Sequence, residues 1–538
     1  MTASGLLLAA TLAVPLAMLA ACLLRDVRAR MPALLPLAPL PALATAIFAP
    51  QDATLVVPRA LFGLTLMLDR PGAVLLGTAS LLWIGAGLSV RGDAASGRFA
   101  AWWLVTLIGC FGVFIAADIA GFYLFFTLVS LAAYGLIAYD NTASAKRAGA
   151  VYVTFALLGE ALLLTGFVLL AAASPHGSLL IRDAVAVLPT SPWRDWALAF
   201  LVAGFGLKIG LVPLHAWMPL AYAAAPSAAA AVLSGAAAKV GVIGLIRVLP
   251  FDAALPDAGQ ALAAVGLFST FYGVAIGLTQ SSAASVLAYS SVSQMGFLAV
   301  VLGAGLAAGD ASTALAAAFY ALRHMLVKGS LFLAIGVMAS TGSRQRWLVL
   351  LPAAALALGL GGLPLTGGAL AKFILKTPLG NGIASAFAIP SAIATTLLML
   401  HFLRCLALSG PRDTAARAPR ILMLTWLVMA VTSVVAPSVL ALANVPWRDV
   451  LTAHMLWDAL WPVAIGALLA VALRGRQHRL PCIPPGDILA LDTYATRAAR
   501  RLGTSVDRLD VVLRQWPVAG ALLLAVAIIL AGAMAIGP

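Results

Sequence analysis

Apolar runs of about twenty residues follow one another through almost the whole chain, beginning with SGLLLAATLAVPLAMLAACLL. Coiled as a helix, such a run crosses a hydrocarbon core about 30 Å thick, and in lipid only helices or closed barrels satisfy every backbone N–H and C=O. The pattern predicts an all-α integral membrane protein. Composition agrees: 63% of the 538 residues are hydrophobic and 10% charged, where soluble domains carry about 25%. The first run has no basic residues ahead of it and no clear small-residue cleavage site, so it reads as a retained span rather than a signal peptide.

About sixteen spans can be drawn, including a sixth at 149–173, a seventh at 196–218, an eighth at 227–249, a twelfth at 348–378, a thirteenth at 383–407 and a last at 517–536. With the amino terminus outside, twenty-one loop Lys and Arg residues fall on one side and five on the other. That bias places the basic side in the cytoplasm, both termini outside, and the protein in a bacterial inner membrane. The net charge of +14 is thus a matter of topology, and nucleic acid is not an expected partner. Residues 474–516 space apolar side chains at near-helical intervals between arginines. They read as a short cytoplasmic amphipathic helix lying on the membrane before the last span, with an ordinary basic loop as the alternative. Cys22, Cys110, Cys405 and Cys482 are scattered, with no pair at metal or haem spacing. No cofactor and no metal site are expected, and any redox chemistry belongs to other chains.

Of 27 arginines and six lysines, the arginines populate loops, whereas Lys208, Lys239, Lys328, Lys372 and Lys376 fall inside apolar segments. A charge at a bilayer centre costs about 2.5 to 3.5 kcal/mol on insertion scales. A buried lysine can exchange a proton where arginine effectively cannot, so the five read as titratable stations. Lys376, near the outer end of its span, also reads as a snorkelling side chain. The single glutamate, Glu160, sits mid-span, and Lys208 one span later is its expected partner. A purely structural polar contact between helices is the competing reading. His324 and Lys328 are four apart on one helix face, and His401 lies deep in span thirteen. Each histidine reads equally well as a proton relay or as a satisfied core residue. Ser234 and Gly235 precede Lys239 and leave room for close helices and water.

Two spans are interrupted, the seventh by Pro213 after Lys208 and the twelfth by Gly362, Pro364, Gly367 and Gly368 before Lys372. Broken membrane helices are tolerated where protein or water meets the freed backbone groups, and a matched pair in two halves points to an ion site. The lysine precedes one break and follows the other, the order inverted repeats produce.

These residues carry a resemblance. Lys208 through Pro213, His215, Trp217 and Pro219, then Ala225-Pro226-Ser227, Leu233-Ser234-Gly235, Lys239-Val240-Gly241 and Arg247, resemble the signature of antiporter-like subunits of respiratory complex I, Mrp-type cation/proton antiporters and membrane-bound hydrogenases, including the hydrogenase-4 and formate hydrogenlyase group. His324 to Lys328 and Gly362 to Lys372 resemble two further blocks. The resemblance covers about 100–410. It implies two inverted five-helix half-channel bundles at 100–250 and 251–410, flanked by helices at 1–99 and 411–473, the lateral segment 474–516 and a terminal span at 517–538. It also implies that Lys208, Lys239, His324, Lys328 and Lys372 pass protons along a mid-membrane axis, with other membrane subunits as partners. The family's usual glutamate in span five is Thr127 here, and Glu160 is expected to take its place. Tyr222 and Tyr320 stand where the family has histidines. A proton- or sodium-translocating subunit of a multisubunit complex is the leading expectation. A stand-alone secondary transporter and the membrane subunit of an inorganic-carbon uptake complex are its alternatives.

Overall fold

A computed structural model describes residues 2–491 except 62, 91–95, 175–176, 381, 412, 443–451, 474–480 and 482. The expected span at 517–536 lies outside the described residues, as does the segment 474–516 apart from 481 and 483–491. Met1–Pro485 forms one compact unit. Of the second, Gly486–Pro538, the 3-10 turn Asp487–Leu491 is described.

The chain opens with α1 Ala3–Ala21, α2 Arg25–Leu34 and α3 Leu40–Phe48, the last two joined by a 3-10 turn. Pro32, Pro36, Pro39 and Pro41 account for that interruption, since each removes a backbone donor. The hairpin of β1 Ala53–Val57 and β2 Leu64–Leu68 follows, pairing Ala53 with Leu68 and Val57 with Leu64. It is a short exception within an otherwise helical membrane fold: the segment is too short to span a bilayer, is rich in Val, Leu and Thr, and satisfies its backbone by pairing with itself.

Then come α4 Arg70–Leu88, α5 Gly97–Ile115, α6 Ile119–Ile137, α7 Ala143–Ala173, α8 Ile181–Val187, α9 Arg194–Ile209, α10 Trp217–Ala224, α11 Ser227–Val232 and α12 Lys239–Val248. The second half holds α13 Pro256–Gly277, α14 Ala283–Ala308, α15 Thr313–Met338, α16 Trp347–Gly361, α17 Gly367–Leu379, α18 Ile383–Ala386, α19 Ala388–Leu408, α20 Arg420–Leu442 and α21 Ala453–Leu473. Among the described residues, thirteen helical runs are long and apolar enough to cross a membrane. The difference from sixteen has a simple origin. Spans seven and twelve are broken into shorter pieces, and the last lies outside the described residues.

Side chains start several helices. Asp69, Ser96, Asp118 and Thr142 each accept the N–H of the residue three positions on, satisfying a donor that the first helical turn leaves free. Two of these caps also tie elements together. Asp69 receives the Arg247 guanidinium at 2.9 and 3.0 Å, and that guanidinium donates to the carbonyls of Val113, Phe114 and Ala116 as well. Asp118 takes the N–H of Thr65, fastening β2 to the start of α6.

Loops that the alternation of spans assigns to one side do meet. The β1–β2 hairpin, the ends of α5 and α12 and the loop before α8 converge through Leu66–Ala116, Asp118–Leu180 and Arg247–Asp69. On the other side, Arg346 donates to the carbonyls of Ala407 and Pro411. The run Ser227–Val248 is buried throughout, whereas α1 and α21 bury about a fifth of theirs. The polar residues are concentrated around this lipid-shielded centre. α13 and α14 press their backbones together there: a Cβ at Gly266 would stand 2.6 Å from the Gly296 carbonyl, and one at Gly303 2.5 Å from that of Gly259.

Candidate functional site

Both expected breaks are present, each capped from outside its own helix ladder. α9 ends at Gly210, which is left-handed at φ 79°, and the chain passes Pro213 and His215 before α10 begins. Trp217 Nε1 adds a second donor at 3.0 Å to the Leu207 carbonyl, which also accepts the Gly210 N–H, and Ser269 Oγ accepts the Val212 N–H. α16 ends at Gly362, φ 101°, where a side chain would collide with the Lys372 ammonium 2.3 Å away. Arg323 Nη1 donates to the Gly359 carbonyl, which also accepts the Gly362 N–H. Gly368 allows this approach, since a Cβ there would meet the same carbonyl at 1.9 Å. Pro364 lies in this second break and Gly367 opens α17, so Lys208 precedes one break and Lys372 follows the other.

Glu160 and Lys208, each 6% exposed, belong to one cluster and are linked through intervening hydroxyls rather than by a direct ion pair. Thr127 Oγ1 donates to Glu160 Oε2 at 2.5 Å. One turn further along α6, Ser130 Oγ accepts from Lys208 Nζ at 3.0 Å, and Tyr152 Oη accepts from it at 3.3 Å. Tyr152 in turn donates to the Ser130 carbonyl. Acid and amine are therefore bridged through one face of α6, and the Phe126 ring faces the ammonium at 5.4 Å.

The next amine depends on an irregular turn. Leu233–Ala237, containing Ser234 and Gly235, is a π-helical turn between α11 and α12. Such turns release carbonyls from the ordinary ladder, and Lys239 Nζ donates to the Ser234 carbonyl at 2.8 Å. Ser234 Oγ lies 3.5 Å from Ser291 Oγ. Ser291 donates to the Leu287 carbonyl, which Lys328 Nζ also reaches at 2.8 Å. Lys239 and Lys328 are thus joined by two serine hydroxyls and two carbonyls, those of Ser234 and Leu287. His324, a turn before Lys328, is fully buried, and neither ring nitrogen has a protein partner.

Beyond His324 stands a group that residue spacing did not single out. Arg323, 3% exposed, donates through Nη2 to Gln294 Oε1 and packs over the Tyr320 ring at 4.8 Å. Tyr320 Oη donates to the same Gln294 oxygen at 2.7 Å, and Gln294 Nε2 to Thr395 Oγ1. Arg323, Gln294, Tyr320 and Thr395 line a cavity of about 700 Å³ whose walls also include Lys372, Lys376 and Asp458.

Residues 116–397, more than half of the chain, match the family described as NADH:quinone oxidoreductase/Mrp antiporter, TM. The chain belongs to the antiporter-like membrane subunit family. It is 32% identical over 392 residues to NADH-quinone oxidoreductase subunit N of Desulforudis audaxviator, covering 67% of this chain and 76% of that one. It is 29% identical over 297 residues to hydrogenase-4 component B of Escherichia coli, covering 52% of this chain and 44% of the relative's length. In fold it superposes on a chain of the Mrp complex from Dietzia sp. DQ12-45-1b with a TM-score of 0.79 at 20% identity, over 100% of this chain and 63% of that one.

Not every expected site residue of this antiporter-like subunit joins the row. His215 is buried between the Tyr272 and Tyr289 rings, at 5.2 and 6.1 Å. Ser227 packs against Gly336, and Lys376 is exposed near Met455. His401, half-buried, holds the Gln280 carbonyl at 2.7 Å, close to where Gln280 reaches Ile483. Arg323 and Gln294 were missed because the division of arginines to loops and lysines to spans hid an intramembrane arginine. The π-turn has no sequence signature beyond its small residues.

Proposed function

We propose that this chain is a proton-translocating membrane subunit of a multisubunit complex, with residues 100–250 and 251–410 as two inverted half-channel bundles. The observation that carries this reading is the buried polar row itself: Glu160, Thr127, Ser130 and Lys208, then Lys239, Ser234, Ser291 and Lys328, then Arg323 and the cavity at Lys372. Lysines at intervals, joined by hydroxyls and carbonyls, suit proton hopping. A conduit for hydrated sodium would need clustered oxygen ligands with carboxylates among them.

In this reading Glu160 takes the place of the family's span-five acid, Thr127 orients it, and Lys208 is the first-bundle station. Lys239 connects the halves. Water at the unpartnered nitrogens of His324 links Lys328 to the outer cavity, where Lys372 releases the proton. His401, beside the Gln280 carbonyl, marks the cytoplasmic approach. The driving conformational or electrostatic change comes from partner subunits, as membership of a family found in respiratory, hydrogenase and Mrp complexes suggests. The subunit sits in the bacterial inner membrane with both termini outside and 474–516 in the cytoplasm.

The test is proton uptake by the intact complex in proteoliposomes. Glu160→Gln keeps the shape and the Thr127 contact but removes the charge. It is expected to slow uptake by roughly tenfold or more, the equivalent of about 1.4 kcal/mol on the barrier, with assembly unchanged. Near-normal transport by this variant refutes the role of Glu160, and near-normal transport by Lys239→Met as well refutes the whole row.

A further inference from the structure

The 700 Å³ cavity has a second property. Three cationic side chains line it, Arg323, Lys372 and Lys376, against one carboxylate, Asp458. That carboxylate is partly exposed and also lies 3.3 Å from His454 Nδ1, so the lining keeps an excess of positive charge. Arg323 is the telling member. Its guanidinium is permanently charged and almost wholly buried, its two described acceptors are a neutral carbonyl and a neutral amide, and Nε, buried, finds no protein acceptor. No described carboxylate lies within 4.0 Å of it. A buried charge without a counter-charge is costly, and guanidinium N–H groups bind anions well. α17 also begins at this cavity, with Thr366, Gly368 and Ala369 in its wall, so the positive end of a thirteen-residue helix adds to the same potential.

We propose that the cavity is a binding site for a small monovalent anion, a halide or a short carboxylate, held by Arg323, by the start of α17 and by Lys372 in its second turn. The hydroxyls of Thr366, Thr395 and Ser391 in the wall supply further donors, and the volume admits the anion together with part of its hydration shell. The bound anion is the counter-charge for Arg323. This goes beyond the proton-transfer reading and does not depend on it, because binding is read on the resting protein without transport.

The experiment is chloride-35 NMR on the purified full-length chain. A bound chloride in exchange with bulk broadens the chloride line, and added bromide, competing for the site, narrows it again. The wild type is expected to show a saturable, bromide-sensitive excess broadening, and Arg323→Gln to lose it. Thr395→Asp, which puts a carboxylate beside Gln294 with Arg323 intact, is expected to lose it as well, so the test survives if the first variant fails to fold. Absence of excess broadening in the wild type, or its persistence in either folded variant, overturns the site. Failure of Glu160→Gln to impair proton uptake, by contrast, bears only on the proton row.

Discussion

Thr127 and Glu160 face each other across α6 and α7 at hydrogen-bonding distance, so the acid that the family resemblance places on one helix can be supplied by the next. This makes exchange of the two residues informative. The double variant Thr127→Glu, Glu160→Thr returns a carboxylate to within a turn of Ser130 and Lys208, and it is expected to recover proton uptake that Glu160→Gln lacks, measured in the same proteoliposomes. Asp69 supports a separate prediction. Asp69→Asn leaves the Arg247 side chain, 8% exposed, with carbonyls alone, and removing one partner of a buried pair costs about 3 to 5 kcal/mol. The three carbonyl contacts and the partial exposure of Asp69 put the expected loss toward the lower end, read as a fall in unfolding midpoint. Individual lysines and the lone glutamate were legible in the sequence, because an unexplained charge in an apolar run stands out. The indirect link between Glu160 and Lys208 was not, because hydroxyls such as Ser130 carry no such contrast.

At the scale of elements, a broken helix exposes carbonyls that something must answer. Trp217 answers for α9 and Arg323 for α16. Trp217→Phe keeps the ring packing but leaves the Leu207 carbonyl with the Gly210 N–H alone, which is expected to cost about 0.5 to 1.5 kcal/mol, checked by thermal unfolding in detergent. The α13–α14 contact is less tolerant. Gly266→Val places side-chain atoms where the Gly296 carbonyl already stands, and overpacking of about 1 to 3 kcal/mol or more is expected to show as lower yield of folded protein. The breaks could be read in advance because proline and clustered glycine are local signals. The π-turn and the glycine seam could not, since each depends on which distant helix lies alongside.

For the whole molecule, the alternation of spans assigns the β1–β2 hairpin, the ends of α5 and α12 and the loop before α8 to one face, and the contacts Leu66–Ala116, Asp69–Arg247 and Asp118–Leu180 bring neighbouring parts of these connections together. Sidedness itself can be read chemically: Val56→Cys on the exposed hairpin is expected to react with an impermeant maleimide from the outer face, and Arg417→Cys from the cytoplasmic face alone. Reversed labelling overturns the orientation. The hairpin escaped sequence reading because its strands are apolar without being long. The interior row described above holds four amines and a guanidinium against two carboxylates, Glu160 and, in the outer cavity, Asp458, and that inequality has a kinetic meaning. Like charges along one buried row in a poorly screening medium repel, so every proton that lands discourages the next. Such a conduit runs lightly loaded, and its throughput is governed by how fast the far end empties.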